Sequence, residues 1–110
     1  MHPRRGEVWW VSFDPSIGGE IQKTRTAIIL SNNAANSALN RVIVVPITSQ
    51  TAKVYPGEAL INVNGEQRKA MADQIMAASK QRLQNRIGSL SPGDLTTLEN
   101  AVLIQLAIRR

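Results

Sequence analysis

Apolar residues in this chain occur in short runs, a pattern typical of β-strands. The runs at 8–13, 27–30 and 41–48 are rich in β-branched and aromatic residues and are bounded by turn-forming residues. We therefore predict three strands there, with a loop or a single helical turn over 34–40. Because Pro46 cannot donate to a ladder, we expect it on an edge or near the end of its strand.

The middle of the chain has the pattern of a β-hairpin. Residues 58–63 alternate between apolar and polar, and the Asn64-Gly65 dipeptide that follows is favoured in tight hairpin turns. The predicted return strand covers 68–76. A short helical turn over 80–83 and a last strand over 86–90 are expected after it.

The C-terminal part carries the one long helical pattern. Ser91 is a suitable N-cap, and Pro92 suits the first helical position. Apolar residues then recur at three- and four-residue spacing in a stripe that runs to about residue 108: Leu95, Leu98, Val102 and Leu106. Six or seven short strands, one terminal helix and no βαβ rhythm favour a strongly bent antiparallel sheet or small barrel, with the helix as its lid. A length of 110 residues predicts a single domain over 1–110.

Charge and composition limit the kinds of partner and of chemistry that we expect for this protein. Thirteen Lys and Arg residues against eight Asp and Glu give a net charge of +5, which favours a polyanion such as nucleic acid over a merely basic protein. The chain has no cysteine, which excludes disulfides and thiolate chemistry. It also has no signal-peptide core and no apolar run of about 18 residues, so we expect a cytoplasmic protein with no membrane partner.

Several kinds of active site are disfavoured by the residues present. His2 is the only histidine, so a Ser-His-Asp triad and a zinc set are both excluded. The acidic residues form no local motif for Mg²⁺, and Gly18-Gly19 lacks the lysine of a phosphate-binding loop. We therefore predict no metal site and no cofactor.

Arginine and hydroxyl side chains remain as candidates for an active site, and they suit the cleavage of RNA. An enzyme can cleave RNA by aligning its 2′-hydroxyl with the phosphate and stabilising the charge that develops there. Arg25 follows Lys23-Thr24 and can offer a two-pronged guanidinium to phosphate, while Thr48, followed by Ser49-Gln50, supplies a hydroxyl donor. On composition alone, the plainer alternative is favoured: Arg25 would pair with Glu20 at the surface, and Thr48 would only close a turn.

The same positions resemble the MazF/PemK family of toxin endoribonucleases from bacterial toxin-antitoxin pairs. The resemblance lies in three blocks in the family's order and covers nearly the whole chain: Arg5-Gly6-Glu7-Val8-Trp9 with Phe13-Asp14-Pro15, Gly18, Glu20, Arg25 and Ser31-Asn32; Val44-Val45-Pro46-Ile47-Thr48-Ser49; and Asp73-Gln74-Ile75 with Lys80-Gln81-Arg82-Leu83 and Ile87-Gly88-Ser89-Leu90.

This resemblance implies a fold, a reaction and partners. The fold would be mainly β, a small SH3-like barrel of the CcdB/PemK type with a C-terminal helix. The reaction would be sequence-specific, metal-independent cleavage of single-stranded RNA to a 2′,3′-cyclic phosphate and a 5′-hydroxyl. The protein would be a homodimer, with its active sites near the dimer groove, controlled by a cognate acidic antitoxin.

The resemblance also implies residue roles. Arg25 matches the catalytic arginine, which stabilises charge and transfers a proton, and Thr48 matches the catalytic threonine. Asn32 and Gln74 match positions that touch RNA, and the loop over 16–24 matches one that gates the site and receives antitoxin. The substrate-contact prediction therefore comprises Lys23, Thr24, Asn32, Ser49, Gln50 and Gln74.

Two further features bear on this site. Relatives usually have proline directly after the catalytic arginine, whereas this chain has Thr26, which neither fixes φ nor removes the N–H donor. Trp9 and Trp10 are adjacent, so they face opposite sides of a strand. We expect one of them in the core and the other to stack on a base or to support the dimer.

Two other functions stay open at this level. A non-enzymatic toxin resembling CcdB, which binds DNA gyrase, would need no Arg25-Thr48 pair. A basic barrel that only binds nucleic acid would show salt-dependent RNA binding without a product.

Overall fold

Strands dominate the fold. A computed structural model describes residues 2–13 and 24–109. Within these residues, seven strands and two helices follow in chain order: β1 Glu7–Ser12, β2 Thr24–Ile29, α1 Asn33–Ala38, β3 Arg41–Thr48, β4 Glu58–Val63, β5 Glu66–Met71, β6 Met76–Ser79, β7 Leu83–Ser89 and α2 Pro92–Gln105. Single 3₁₀ turns cover Ala72–Gln74 and Lys80–Arg82.

The sheet curls into a half-barrel with an attached hairpin. Five strands run side by side in the order β7-β1-β2-β3-β6, all antiparallel. The 3₁₀ turn at Lys80–Arg82 joins β6 to β7 across the open side, and Arg82 Nη1 donates to the carbonyl of Ser12 at 3.2 Å. The β4–β5 hairpin extends the sheet from the end of β3. The predicted mainly-β fold with a C-terminal helix is confirmed.

Strand β3 is the branch point of the sheet. It pairs with β6 through Val44↔Met76 and with β5 from Ile47↔Ala70 onward. Pro46 lies at the junction between these two partners, near the end of its strand. The prediction for this proline is therefore confirmed, and its missing N–H falls where β3 changes neighbour.

Alternation along the strands produces two apolar clusters. One fills the curl of the half-barrel, where its buried members are Val11, Ala27, Ile29, Val42, Val44 and Ala78. The other lies beneath α2 and the hairpin, where its largest members include Val8, Ile28, Val45, Ile47, Ile61 and Leu98. Ser91 caps α2 by accepting from the backbone N–H of Asp94 at 3.1 Å. Helix α2 is the predicted lid.

Some predicted boundaries were wrong. The single return strand over 68–76 is β5, a 3₁₀ turn and then β6, because β6 leaves the hairpin and pairs with the start of β3. Strand β2 begins three residues earlier than predicted, since Thr24 pairs with Ser12 of β1. The region over 34–40 contains the short helix α1. Leu106 lies beyond the end of α2 and is half exposed.

None of the helices in the described ranges has the length and apolar character needed to cross a membrane.

Candidate active-site groove

An open groove of about 480 Å³ lies where β2 begins and β3 ends. Its lining comes from five places along the chain, which the fold brings together: Trp10 of β1; Thr24, Arg25 and Thr26 of β2; Ile47, Thr48, Ser49 and Gln50 at the end of β3; Val63, Asn64, Glu66 and Arg68 of the hairpin; and Ile87 of β7. The groove therefore has one wall from β2 and β3 and a second wall from the β4–β5 hairpin.

Strand register brings Arg25 and Thr48 together. Strands β2 and β3 pair antiparallel through Ile28↔Val45 and Ala27↔Pro46. The paired residues of this ladder end at Ala27↔Pro46, and the same register continued by two residues would place Arg25 opposite Thr48. Both residues line the groove. The two catalytic candidates therefore meet at one strand end, although they are distant in sequence.

Arg25 is an exposed residue on a paired strand. Its neighbour across the β1–β2 ladder is Val11, so its backbone is held although Thr26 replaces the usual proline. Within the described part of the chain, its guanidinium makes no ion pair and no hydrogen bond. Glu20, its alternative partner, lies outside the described residues.

The hydroxyl of Thr48 closes a turn and keeps its own hydrogen. Its Oγ1 accepts from the backbone N–H of Gln50 at 3.2 Å, so the turn-closing alternative is part of the structure. A threonine hydroxyl also carries one hydrogen to donate. No described residue accepts that hydrogen. Thr48 can therefore close the turn and donate to a bound phosphate oxygen.

The predicted substrate contacts separate into three groups. Thr24, Ser49 and Gln50 lie in the groove with Arg25 and Thr48, whereas Lys23 and most of the 16–24 loop lie outside the described residues. Asn32 lies beyond the opposite end of β2, where it caps α1 by accepting from the N–H of Ala35 at 2.8 Å. Gln74 lies in the 3₁₀ turn, where its Nε2 donates to Met71 Sδ at 3.5 Å. RNA contact by Asn32 and Gln74 stays a prediction.

The two tryptophans take opposite sides of β1. Trp9 packs against the cluster inside the half-barrel, and its Nε1 donates to Glu7 Oε1 at 3.1 Å. Trp10 is 39% exposed and lines the groove. Trp9 is therefore partly buried against the core, and Trp10 borders the groove. That Trp10 stacks on a base or supports a dimer stays a prediction.

The sequence reasoning did not include the hairpin wall in the site. Asn64 was interpreted only as a turn residue, and Glu66 and Arg68 were not singled out as site residues. The predicted return strand began at 68, whereas β5 begins at Glu66. The Asn64-Gly65 turn contained the signal, because a two-residue turn pairs Glu66 with Val63 and Arg68 with Ile61, on their core-facing side. A charged side chain on the core-facing side of a strand needs a partner for its charge or a function that explains its position.

A buried lysine lies directly beside the groove. Lys69 of β5 pairs with Thr48 in the ladder and is only 9% exposed. Its ammonium group donates to the Lys53 carbonyl at 2.9 Å and lies 3.2 Å from Glu58 Oε1. The pKa of Glu58 is lowered, first by the hydrogen bond from the N–H of Tyr55 and then by Lys69. These contacts hold β5 beside the end of β3.

In residues 2–13 and 24–109, no three His, Cys, Asp or Glu side chains are grouped closely enough to hold a metal ion.

Known proteins with similar sequences are ribonuclease toxins. Endoribonuclease MazF9 of Mycobacterium tuberculosis is 39% identical over 112 residues, which cover 94% of this chain and 95% of that protein. Endoribonuclease toxin MazF of Escherichia coli K12 is 32% identical over 98 residues, covering 88% of this chain and 87% of its own length.

Solved structures share the fold. An endoribonuclease in complex with its cognate antitoxin, from a mycobacterial species, matches with a TM-score of 0.81 at 23% identity over 98% of each chain. A MazE-MazF crystal structure from Deinococcus radiodurans matches with a TM-score of 0.83 at 23% identity over 97% of each chain. At this identity the likeness concerns the fold. The family described as the PemK-like, MazF-like toxin of type II toxin-antitoxin systems matches residues 4–106, and this chain belongs to that family.

Proposed function

We propose that this protein is the toxin of a toxin-antitoxin pair and acts as a sequence-specific, metal-independent endoribonuclease on single-stranded RNA. The observation that supports the proposal is that Arg25, near the start of β2, and Thr48, at the end of β3, line the same open groove of a basic chain. The names of the similar proteins support the same reaction.

The reaction needs a nucleophile, and RNA supplies it. The 2′-oxygen forms a bond to phosphorus while the bond to the 5′-oxygen breaks, giving a 2′,3′-cyclic phosphate and a 5′-hydroxyl. The nucleophile loses its proton and the leaving oxygen gains one. The Arg25 guanidinium donates to the phosphoryl oxygens and takes part in this proton transfer, while the Thr48 hydroxyl donates to the charge that develops on the phosphorane.

The wider assembly follows the family pattern. Lys23, Thr24, Asn32, Ser49, Gln50 and Gln74 are the proposed RNA contacts. Because Asn32 and Gln74 lie away from the groove of their own chain, a homodimer whose partner extends the binding surface accommodates them best. The proposed regulator is an acidic antitoxin that covers the basic groove, and the proposed site of action is the cytoplasm, where the RNA is.

A chelator experiment tests the reaction. The protein is incubated in EDTA with a long RNA and with the same sequence carrying 2′-deoxy nucleotides, and the product ends are identified by mass spectrometry. We expect cleavage of the RNA alone, with cyclic phosphate at the 3′ ends of the products.

Other outcomes of this experiment would contradict the proposed reaction or favour a different function. Cleavage of the deoxy substrate would contradict the 2′-hydroxyl mechanism, and cleavage that EDTA abolishes would contradict metal independence. Bound but intact RNA would favour the nucleic-acid-binding barrel. No binding of RNA, together with binding of gyrase, would favour the CcdB-like alternative.

A further inference from the structure

The hairpin wall of the groove carries an ion pair that the cleavage chemistry does not use. Glu66 Oε2 lies 3.2 Å from Arg68 Nη2, with the glutamate side chain 70% exposed and the arginine 31% exposed. Arg68 Nη1 also donates to the Gln67 carbonyl at 2.9 Å. The arginine is therefore held by two contacts, and the glutamate keeps Oε1 available to a ligand.

This wall is held in place by the rest of the fold. Asn64, in the left-handed region at φ 52°, donates through Nδ2 to the Ile87 carbonyl at 2.9 Å. The N–H of Asn62 donates to Asp94 Oδ2 of α2 at 2.8 Å. The hairpin backbone is thus tied to β7 and to α2, which fixes where Glu66 and Arg68 start from the wall.

The wall lies within reach of the reacting nucleotide. Strand β5 adjoins β3 through Thr48↔Lys69, so Arg68 is the neighbour of the residue paired with Thr48. Two strand spacings, about 10 Å, separate β5 from β2, the strand that carries Arg25. Glu66 lies three residues from Lys69, roughly 10 Å further along β5, and it lines the same groove as Arg25 and Thr48. The side chains and the nucleotide together bridge this separation.

The sign of the charge on Glu66 identifies what it contacts. A carboxylate repels phosphate and accepts hydrogen bonds, so in a groove for RNA it favours the N–H groups of base edges. Exocyclic amino groups are such donors on adenine, guanine and cytosine, whereas uracil carries only its imino N3–H, which lies between two carbonyl oxygens that repel a carboxylate. Arg68 neutralises part of the charge and orients the carboxylate.

We propose that Glu66, positioned by Arg68, reads an exocyclic amino group on a base next to the scissile phosphate and so sets the sequence preference at one position against uracil. This inference rests on the proposed RNA-cleaving function, which it deepens.

The test compares Glu66→Gln with the parent on a randomised RNA pool, by sequencing the cleaved ends. For the parent we expect amino-bearing bases to exceed uracil by about tenfold at one position, the discrimination expected of a charge-assisted hydrogen bond. Glu66→Gln should bring that ratio close to one and leave the preferences at other positions unchanged. Arg68→Gln should alter the same position.

Glu99→Gln is the matched control. Glu99 also pairs with an arginine, at 2.6 Å from Arg5, but lies outside the groove. This variant loses the same charge, so it should keep the parental preference. Thermal unfolding of all variants shows whether the hairpin pair is only structural: in that case Glu66→Gln would lower the midpoint and leave the preference intact, which overturns the inference.

A second arm separates this inference from the cleavage proposal. The same pool with 2′-fluoro riboses, which lack the attacking hydroxyl, is selected for binding. If RNA is bound but never cleaved, the cleavage proposal fails, and a shift of the bound sequences in Glu66→Gln still supports the base contact. A uniform change of affinity for every sequence in Arg68→Gln, with a salt slope lower by about one, indicates a phosphate contact and overturns it. Failure of the parent to bind the pool also overturns it.

Discussion

At the scale of single residues, Thr48 has one observed role and one proposed role, and its neighbours make the two compatible. Its oxygen accepts from the N–H of Gln50 at 3.2 Å, which holds the end of β3, and we propose that its hydrogen is donated to a phosphate oxygen. A hydroxyl is needed for both, and a methyl group can supply neither.

Thr48→Val should therefore lower the single-turnover rate of RNA cleavage by about 10²-fold, the loss typical for one preorganised donor. Thr48→Ser, which keeps the hydroxyl, should retain most of the rate. Quenched-flow assays on a short RNA measure both. A valine variant that cleaves at the parental rate would mean that Thr48 only closes the turn.

Sequence reasoning identified the catalytic candidates but not the opposite wall, and the reason is physical. Arg25 and Thr48 were recognised from the types of their side chains and from their sequence motifs. Glu66 and Arg68 line the groove because β5 pairs with the end of β3 and Asn64 ties the hairpin to β7, contacts between segments that no local pattern encodes.

At the scale of elements, the position of β5 depends on a buried charge. Lys69 is held by Glu58 and by the Lys53 carbonyl. Since the folded state lowers the pKa of Glu58, this carboxylate stabilises the protein fully above its ordinary pKa, and the contribution is lost as the pH falls through the lowered value.

Glu58→Gln should accordingly lower the thermal midpoint at pH 7, and the difference from the parent should shrink as the pH falls through the lowered pKa of Glu58, below which the parental carboxylate is protonated. Differential scanning calorimetry across this range measures it. A difference that does not change with pH would contradict the electrostatic role of Glu58.

Helix α2 is held to the sheet by burial of its inner face. Leu98 is fully buried in the cluster beneath it. Leu98→Ala should lower the free energy of unfolding by about 2 to 5 kcal/mol, as core leucine truncations do. Asn100→Ala, at an exposed site of the same helix, should change it little. Urea denaturation distinguishes the two, and equal small effects would show that α2 is not a stabilising lid.

The bounds of an element could be predicted where nearby residues determine them, and could not be predicted where pairing with a distant segment determines them. Strands β3 and β4 were predicted with the observed boundaries, because long β-branched runs and a strong turn dipeptide set them. The break between β5 and β6 was missed, since it is caused by pairing of β6 with the start of β3 rather than by any breaker residue. The end of α2 was placed too late, since apolar spacing continues into Leu106 after the helical backbone ends.

At the scale of the whole molecule, the surface suggests self-association. Ile104, Leu106 and Ile108 are 58, 50 and 53% exposed around the end of α2, and contacts proposed for Asn32 and Gln74 lie outside the groove of their own chain. Light scattering on the purified protein should give about twice the 12.0 kDa mass of one chain. A mass of one chain at all concentrations tested would contradict the homodimer.

That residues 1–110 form one domain also stays a prediction.

Arg25 is the proposed catalytic residue, and comparison with a second exposed arginine tests that role. Arg25→Ala and Arg41→Ala each remove an exposed arginine from a strand, but Arg41 lies at the opposite end of β3 from Thr48 and outside the groove. Single-turnover cleavage of one RNA is measured for both variants, with circular dichroism as the check on folding. We expect the single-turnover cleavage rate of folded Arg25→Ala to fall about 10²- to 10³-fold, and the rate of Arg41→Ala to stay close to that of the parent. Parental cleavage by folded Arg25→Ala would contradict it.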